Sequence, residues 1–178
     1  MDLPRRIRPK AVVPILFGWA FLIGALIPDV GKGEPPTNPY RIEVVKHDFK
    51  LYLYQGDRLI KAYRIAIGRN LGDKSREGDM RTPEGHFYIN QIQDSRAWTH
   101  DFKDGKGRIA GAYGPWFLRL YTGADRTTSG KGWTGVAIHG THDPNAIGTR
   151  ASEGCIRMRN QDIEELKKMI EIPVSILP

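Results

Sequence analysis

The chain has 178 residues, 40% of them hydrophobic, which suits one domain of ordinary size with a real core. Its net charge of +7 is unevenly spread: Arg5, Arg6, Arg8 and Lys10 against Asp2 put +3 in the first ten residues and leave +4 for the rest. The remaining basic residues are scattered and form no recognisable nucleic-acid module, so charge argues against a nucleic-acid partner; a mildly basic body suits an anionic one, such as a cell-wall polymer.

In chain order, residues 1–10 form a basic segment expected to stay in the cytoplasm. Residues 11–28 (AVVPILFGWAFLIGALIP) carry no charged side chain. As a helix this run is about 27 Å long, enough to cross a bilayer core. The basic flank predicts that everything after residue 28 is exported to the periplasm. Two readings stand, an uncleaved inner-membrane anchor and a signal peptide cleaved near Ile23-Gly24-Ala25; the length of the run favours the anchor. Residues 29–39, rich in Gly and Pro, read as a linker, and residues 40–178 as the exported domain.

Within that domain, Arg41–Val44 and Lys50–Tyr54 alternate in the manner of strands, and Leu59–Gly68 supplies another. Thr82-Pro83-Glu84-Gly85 is a turn leading into a strand at His86–Ile89. Trp116–Leu120 and Gly135–Ile138 are later strands, the second delivering His139 at its end. The stretch from Gln91 to Gly132 is long and rich in Gly, Asp and Lys. It reads either as a lid or substrate wall, or as a surface excursion whose aromatics complete the core. One helix is clear. Asn160 is its expected N-cap, Ile163, Leu166, Met169 and Ile170 its apolar face, and Pro173 its end before a last strand at Val174–Leu177. The fold class is mainly β with one or two helices, a sandwich or barrel.

The only cysteine, Cys155, excludes an intramolecular disulfide and a sulfur-rich metal site. It is followed closely by Arg157, whose charge favours a thiolate, and preceded by Gly154, which permits a tight turn. His139, sixteen residues upstream, is a candidate base. Backbone N–H groups at Gly154 and Cys155 are candidate oxyanion donors. His47 and His86 read as surface or strand residues, and His100 and His142 as candidates for the edge of a cleft. A metal site from His139, His142 and Asp143 lacks a convincing ligand set.

His139-Gly140-Thr141 followed by Ser152-Glu153-Gly154-Cys155-Ile156-Arg157 resembles the signature of the L,D-transpeptidase (YkuD-type) catalytic domain. Thr82–Ile89 and Gly114–Leu118 match two further segments of that family in order, so the resemblance runs from about residue 41 to the C-terminus. It implies an L,D-transpeptidase-like sandwich or barrel with no cofactor and no metal. It also implies a Cys155 nucleophile with His139 as base, oriented by the Gly140 carbonyl. Peptidoglycan stem tetrapeptides are the implied donors: a thioester forms with release of D-Ala, and the acyl group passes to an amine to make 3–3 cross-links. The same site suits anchoring of an envelope lipoprotein, or hydrolysis when water is the acceptor. A non-catalytic wall-binding module is the reading from another class. Ser152, Arg157, Trp116 and Tyr113 are the candidate substrate contacts, with Ser152 expected to bond locally. One departure stands out: Glu153 occupies a position where many members carry histidine. It is expected to point outward, toward Arg157 or a substrate ammonium.

Overall fold

The computed structural model describes residues 39–168 and 172–178. Its strands are Tyr40–Val45 (β1), Lys50–Gln55 (β2), Arg58–Arg64 (β3), Ile67–Gly68 (β4), Gly85–Asp94 (β5), Thr99–Asp101 (β6), Arg108–Ala110 (β7), Trp116–Tyr121 (β8), Ala137–His139 (β9), Arg150–Ser152 (β10), Ile156–Arg157 (β11) and Pro173–Leu177 (β12). The helix α1 spans Asn160–Leu166. The alternation that marked the strands is the alternation that builds the core. Ile42 and Val44 of β1, Leu51 and Leu53 of β2, Phe87 and Ile89 of β5, and Val174 and Ile176 of β12 are buried on one side of the sheet.

Eight strands form one mixed sheet in the order β11-β9-β8-β5-β12-β1-β2-β3. The C-terminal strand β12 lies between β5 and β1, antiparallel to the first and parallel to the second. The sheet curls because its two ends meet. Beyond β3, Ala66 exchanges both backbone hydrogen bonds with Arg157 of β11, at 2.8 Å each way. This crossing also explains why the expected strand from Leu59 to Gly68 is broken. Ile65, Ala66 and Ile67 are buried in succession, which no period-two strand face permits, and the chain leaves β3 to pair elsewhere.

Two expectations are corrected. Residues 91–132 do not form one long loop: Gln91–Asp94 prolong β5, β6 and β7 form a separate hairpin, and β8 follows. The far end of β5 reads as polar because Asn90, Gln91 and Asp94 face water and only Ile92 packs against the core, so its alternation carries little hydrophobic signal. At α1 the N-cap is Arg159, without a side-chain cap bond; the Asn160 carboxamide instead accepts the Thr141 N–H at 2.8 Å. Ile163 and Leu166 are fully buried as expected, whereas Met169 and Ile170 lie outside the described residues, as do residues 1–38 with the basic segment, the apolar run and nearly all of the linker. Among the described residues no helix is long and apolar enough to cross a membrane.

The segment between β4 and β5 braces the turn that carries Cys155. Asp79 is buried, and burial raises the pKa of its carboxyl group. Hydrogen bonds outweigh this and hold the pKa well below the usual carboxylate range: Ser75, Arg76 and Arg81 donate backbone N–H groups and Lys74 donates its ammonium. A second buried lysine, Lys46, donates to Gly72 O, Thr82 O and Glu84 Oε1, while Thr82 Oγ1 accepts the Gly68 N–H. The Thr-Pro-Glu-Gly turn is therefore a structural clasp. Because the folded pKa of Asp79 is depressed, its stabilisation is present above the unfolded value of about 3.9 and is lost as pH falls below it. Asp79→Asn should lower the melting temperature at neutral pH and flatten its fall between about pH 4 and pH 2. Calorimetry of both proteins across that range checks this, and parallel acid limbs would contradict it.

Candidate active site

Strand register assembles the site. Arg157 of β11 pairs with His139 of β9, and His139 pairs with Phe117 of β8. Paired residues share a face, and residues two apart along a strand do as well, so Cys155, Arg157, His139, Phe117 and Arg119 project to the same side of the sheet. Ile138, Ile156 and Leu118 project to the other and are fully buried. The hairpin β6–β7 and the segment before β8 stand over that surface and close a cavity of about 370 Å³. Its walls include Trp98, His100, Phe102, Tyr113, Glu153 and Cys155.

His139 is 2% exposed, and its Nδ1 lies 2.6 Å from the Gly140 carbonyl oxygen. A carbonyl only accepts, so Nδ1 carries the proton and Nε2 keeps a lone pair in the neutral ring. Phe117 stacks on the imidazole at 5.5 Å and Tyr113 meets it edge-on at 5.0 Å. Burial, helped by the positive charge of Arg157, lowers its pKa to about 3 against the raising effect of the Gly140 and Tyr113 carbonyls. The ring is therefore a neutral base. Gly140 is required by close approach: a Cβ there would lie 2.4 Å from Asn160 Oδ1 and 2.9 Å from Gly114 Cα.

Cys155 retains some solvent access, and its thiol donates to the Gly135 carbonyl at 3.3 Å. Burial pushes its pKa above the ordinary thiol value; the Ala137 amide and Arg157 pull the other way, and Glu153 adds to the rise. The contribution expected of Arg157 is present, but burial outweighs it, so thiol and imidazole rest as a neutral pair. Ser152 is 1% exposed; its hydroxyl accepts the Gly154 N–H at 3.1 Å and donates to the Cys155 carbonyl at 2.5 Å. Its local bonding is as expected, and it engages the Gly154 N–H in this resting geometry. Gly154 has φ of 130°, and a Cβ on it would meet the Arg81 carbonyl oxygen at 2.8 Å.

Of the candidate substrate contacts, Arg157, Tyr113 and Ser152 line the cavity, with Arg157 and Ser152 buried and Tyr113 partly exposed. Arg157 lies 4.8 Å from the Phe102 ring, and its Nε is buried without a hydrogen-bond partner. Trp116 is not brought to the cavity. It sits on the opposite side of β8 from Phe117, with Arg96 and Lys167 over its ring at 5.0 and 4.6 Å. The tryptophan of the cavity is Trp98, packed on Tyr113 and Phe117. Phe117, Arg119 and Phe102 were not singled out from sequence. The first two were within reach, because alternation along β8 puts them on the face opposite to Trp116 and Leu118. Glu153 turns into the cavity wall rather than outward, with Oε2 3.0 Å from His100 Nε2. His142 stacks on Phe102 outside the cavity lining, and His47 and His86 are exposed. Among the described residues no group of three or more His, Cys, Asp or Glu side chains is arranged to hold a metal ion.

Residues 39–176 match the L,D-transpeptidase catalytic domain. The chain belongs to this family. It is 35% identical over 167 residues to the putative L,D-transpeptidase YkuD of Bacillus licheniformis, covering 93% of this chain and 82% of that protein. It is 33% identical over 140 residues to the protein of the same name from Bacillus subtilis, covering 79% and 66%. Among solved structures, Bd1075 of Bdellovibrio bacteriovorus superposes with a TM-score of 0.55 at 24% identity, and an L,D-transpeptidase from Mycobacterium tuberculosis with 0.54 at 14%. Each match covers 79% of this chain but only 48% and 58% of those chains, and it establishes the shared mainly β fold. Membership makes this an acyltransferase domain of a cell-wall family, with the histidine and cysteine segments of the L,D-transpeptidase signature at its cavity.

Two outcomes follow from the geometry. Because the Cys155 pKa is raised, iodoacetamide labelling should climb with pH to beyond about pH 9 without a plateau near neutrality. A plateau below about pH 7 would instead mark a thiolate–imidazolium pair. Gly154→Ala should lower stability by about 1–3 kcal/mol through backbone strain and contact with Arg81, and should slow labelling at fixed pH. Unchanged melting and labelling would refute the close fit.

Proposed function

We propose that this chain is a peptidoglycan L,D-transpeptidase working outside the inner membrane, tethered by residues 11–28. The observation that carries the proposal is the neutral His139, its Nδ1–H held by the Gly140 carbonyl, on the same sheet face as the Cys155 sulfur. In this reading His139 Nε2 takes the thiol proton as Sγ attacks the carbonyl joining the third residue of a stem tetrapeptide to its terminal D-Ala. The oxyanion is held by the Cys155 N–H, joined by that of Gly154 once its bond to Ser152 gives way; each such donor is worth about 3–4 kcal/mol. The carbon–nitrogen bond breaks, His139 returns the proton to the departing D-Ala amine, and a thioester remains. An acceptor amine, deprotonated by the same imidazole, attacks the thioester, forms the new amide and releases the thiol.

Arg157 supports this reading of the substrate. A largely buried guanidinium with an unsatisfied Nε and no carboxylate partner among the described residues suits an anionic group entering the cavity. Incubating the full chain with a purified disaccharide-tetrapeptide, with products read by mass, tests the function. The expected products are an acyl adduct on Cys155 and dimers joined by 3–3 cross-links. Trimmed tripeptides alone would make it a carboxypeptidase, and an acyl adduct on the Cys155→Ala variant would refute the nucleophile.

A further inference from the structure

Besides the thiol, its base and the Tyr113 phenol, four ionisable side chains line the cavity: Arg119, Arg157, Glu153 and His100. Glu153 is the only carboxylate among them. It shares a confined space with two guanidiniums yet forms an ion pair with neither; its partner is the imidazole of His100, contributed by the hairpin β6–β7. Neither arginine has a carboxylate partner among the described residues. Arg119 donates to the neutral Gln93 Oε1 at 3.2 Å and lies 5.2 Å from the Phe117 ring, and Arg157 lies against Phe102.

Opposite charges in one cavity normally collapse into an ion pair, since leaving them apart and partly desolvated is unfavourable. Here His100 holds the carboxylate on the wall formed by the nucleophile turn and the hairpin. The guanidiniums extend from β8 and β11 on the sheet floor. A group that carries only one charge would satisfy one side and leave the other unpaired. A ligand with both charges satisfies the two together.

We propose that the cavity reads a zwitterionic head group, one carbon bearing an ammonium and a carboxylate, with Glu153 receiving the ammonium and Arg119 and Arg157 the carboxylate. This specifies the substrate of the acyl-transfer site and rests on that reading, in which the head group is the free end of the third-residue side chain. Glu153 then selects substrates, and His100 is a positioning residue that keeps the carboxylate off the arginines.

The full-length Cys155→Ala variant, which cannot be acylated, is titrated calorimetrically with stem tetrapeptides whose third residue is diaminopimelate. The side-chain end of that residue is left free, acetylated on its amine, amidated on its carboxylate, or both. Each single block should weaken binding about tenfold, the size of one partly exposed charge contact. Adding Glu153→Gln should reproduce that loss for peptides with a free amine and leave the acetylated ones within about twofold. Arg119→Gln should do the same for the carboxylate.

The proposal is overturned if Glu153→Gln weakens all four peptides by one factor, which would make the His100 contact a latch for the hairpin only. It is equally overturned if blocking changes nothing or no peptide binds. Intact-mass analysis of the unsubstituted chain with the free peptide separates the two readings. Head-group selectivity without an acyl adduct removes the transferase alone, and an adduct without selectivity removes this proposal alone.

Discussion

The site depends on a pairing only two residues long, the parallel ladder between β9 and β11. It sets Ile156 beside Ile138 and Arg157 beside His139, which places the cysteine two residues upstream on the face that the histidine occupies. Short parallel ladders are weak by themselves, so this one is reinforced from outside. Ala66 bonds to Arg157 across the sheet closure, and the Met158 N–H donates to the His139 carbonyl at 2.8 Å. The clasp around Asp79 and Lys46 presses the Arg81 carbonyl against Gly154. A slip by one residue would send the cysteine to the core side.

Electrostatics then divides the labour within the cavity. The imidazole is kept neutral by burial and oriented by a backbone carbonyl, which needs no carboxylate third member. This matters because a buried carboxylate behind the histidine would raise its pKa and favour an ion pair with the sulfur. The neutral pair suits an acyl transfer in which one ring takes the thiol proton and hands it to the leaving amine, then takes a proton from the entering amine and hands it to the released sulfur.

Much of this was legible in the chain. The Cys155 and His139 segments, the apolar alternation of the core strands, and the buried face of α1 at Ile163 and Leu166 were read from residue types and spacing, and the carbonyl orienting His139 from the family resemblance. What was not legible depended on burial and register. Trp116 looked like a ligand contact because an aromatic near the site is suggestive, yet alternation along β8 assigns that place to Phe117. Asn160 has the ideal chemistry for a cap, but a tertiary partner, the Thr141 amide, took its side chain. The Gly-, Asp- and Lys-rich stretch after β5 concealed a hairpin because strands facing water show no hydrophobic period. The charge effect of Arg157 on the thiol was correct in sign and too small beside desolvation.

The hairpin β6–β7 is a sheet of its own, with no ladder joining it to the eight-stranded one. Its ties to the reacting side are side-chain contacts: His100 with Glu153, and Phe102 with His142 and Arg157. The wall facing the substrate and the strands holding the nucleophile are thus separate modules of the architecture. Mutation can redraw the wall without disturbing the register that makes the chemistry work, so a lineage built on this plan is free to change what it accepts while keeping how it reacts.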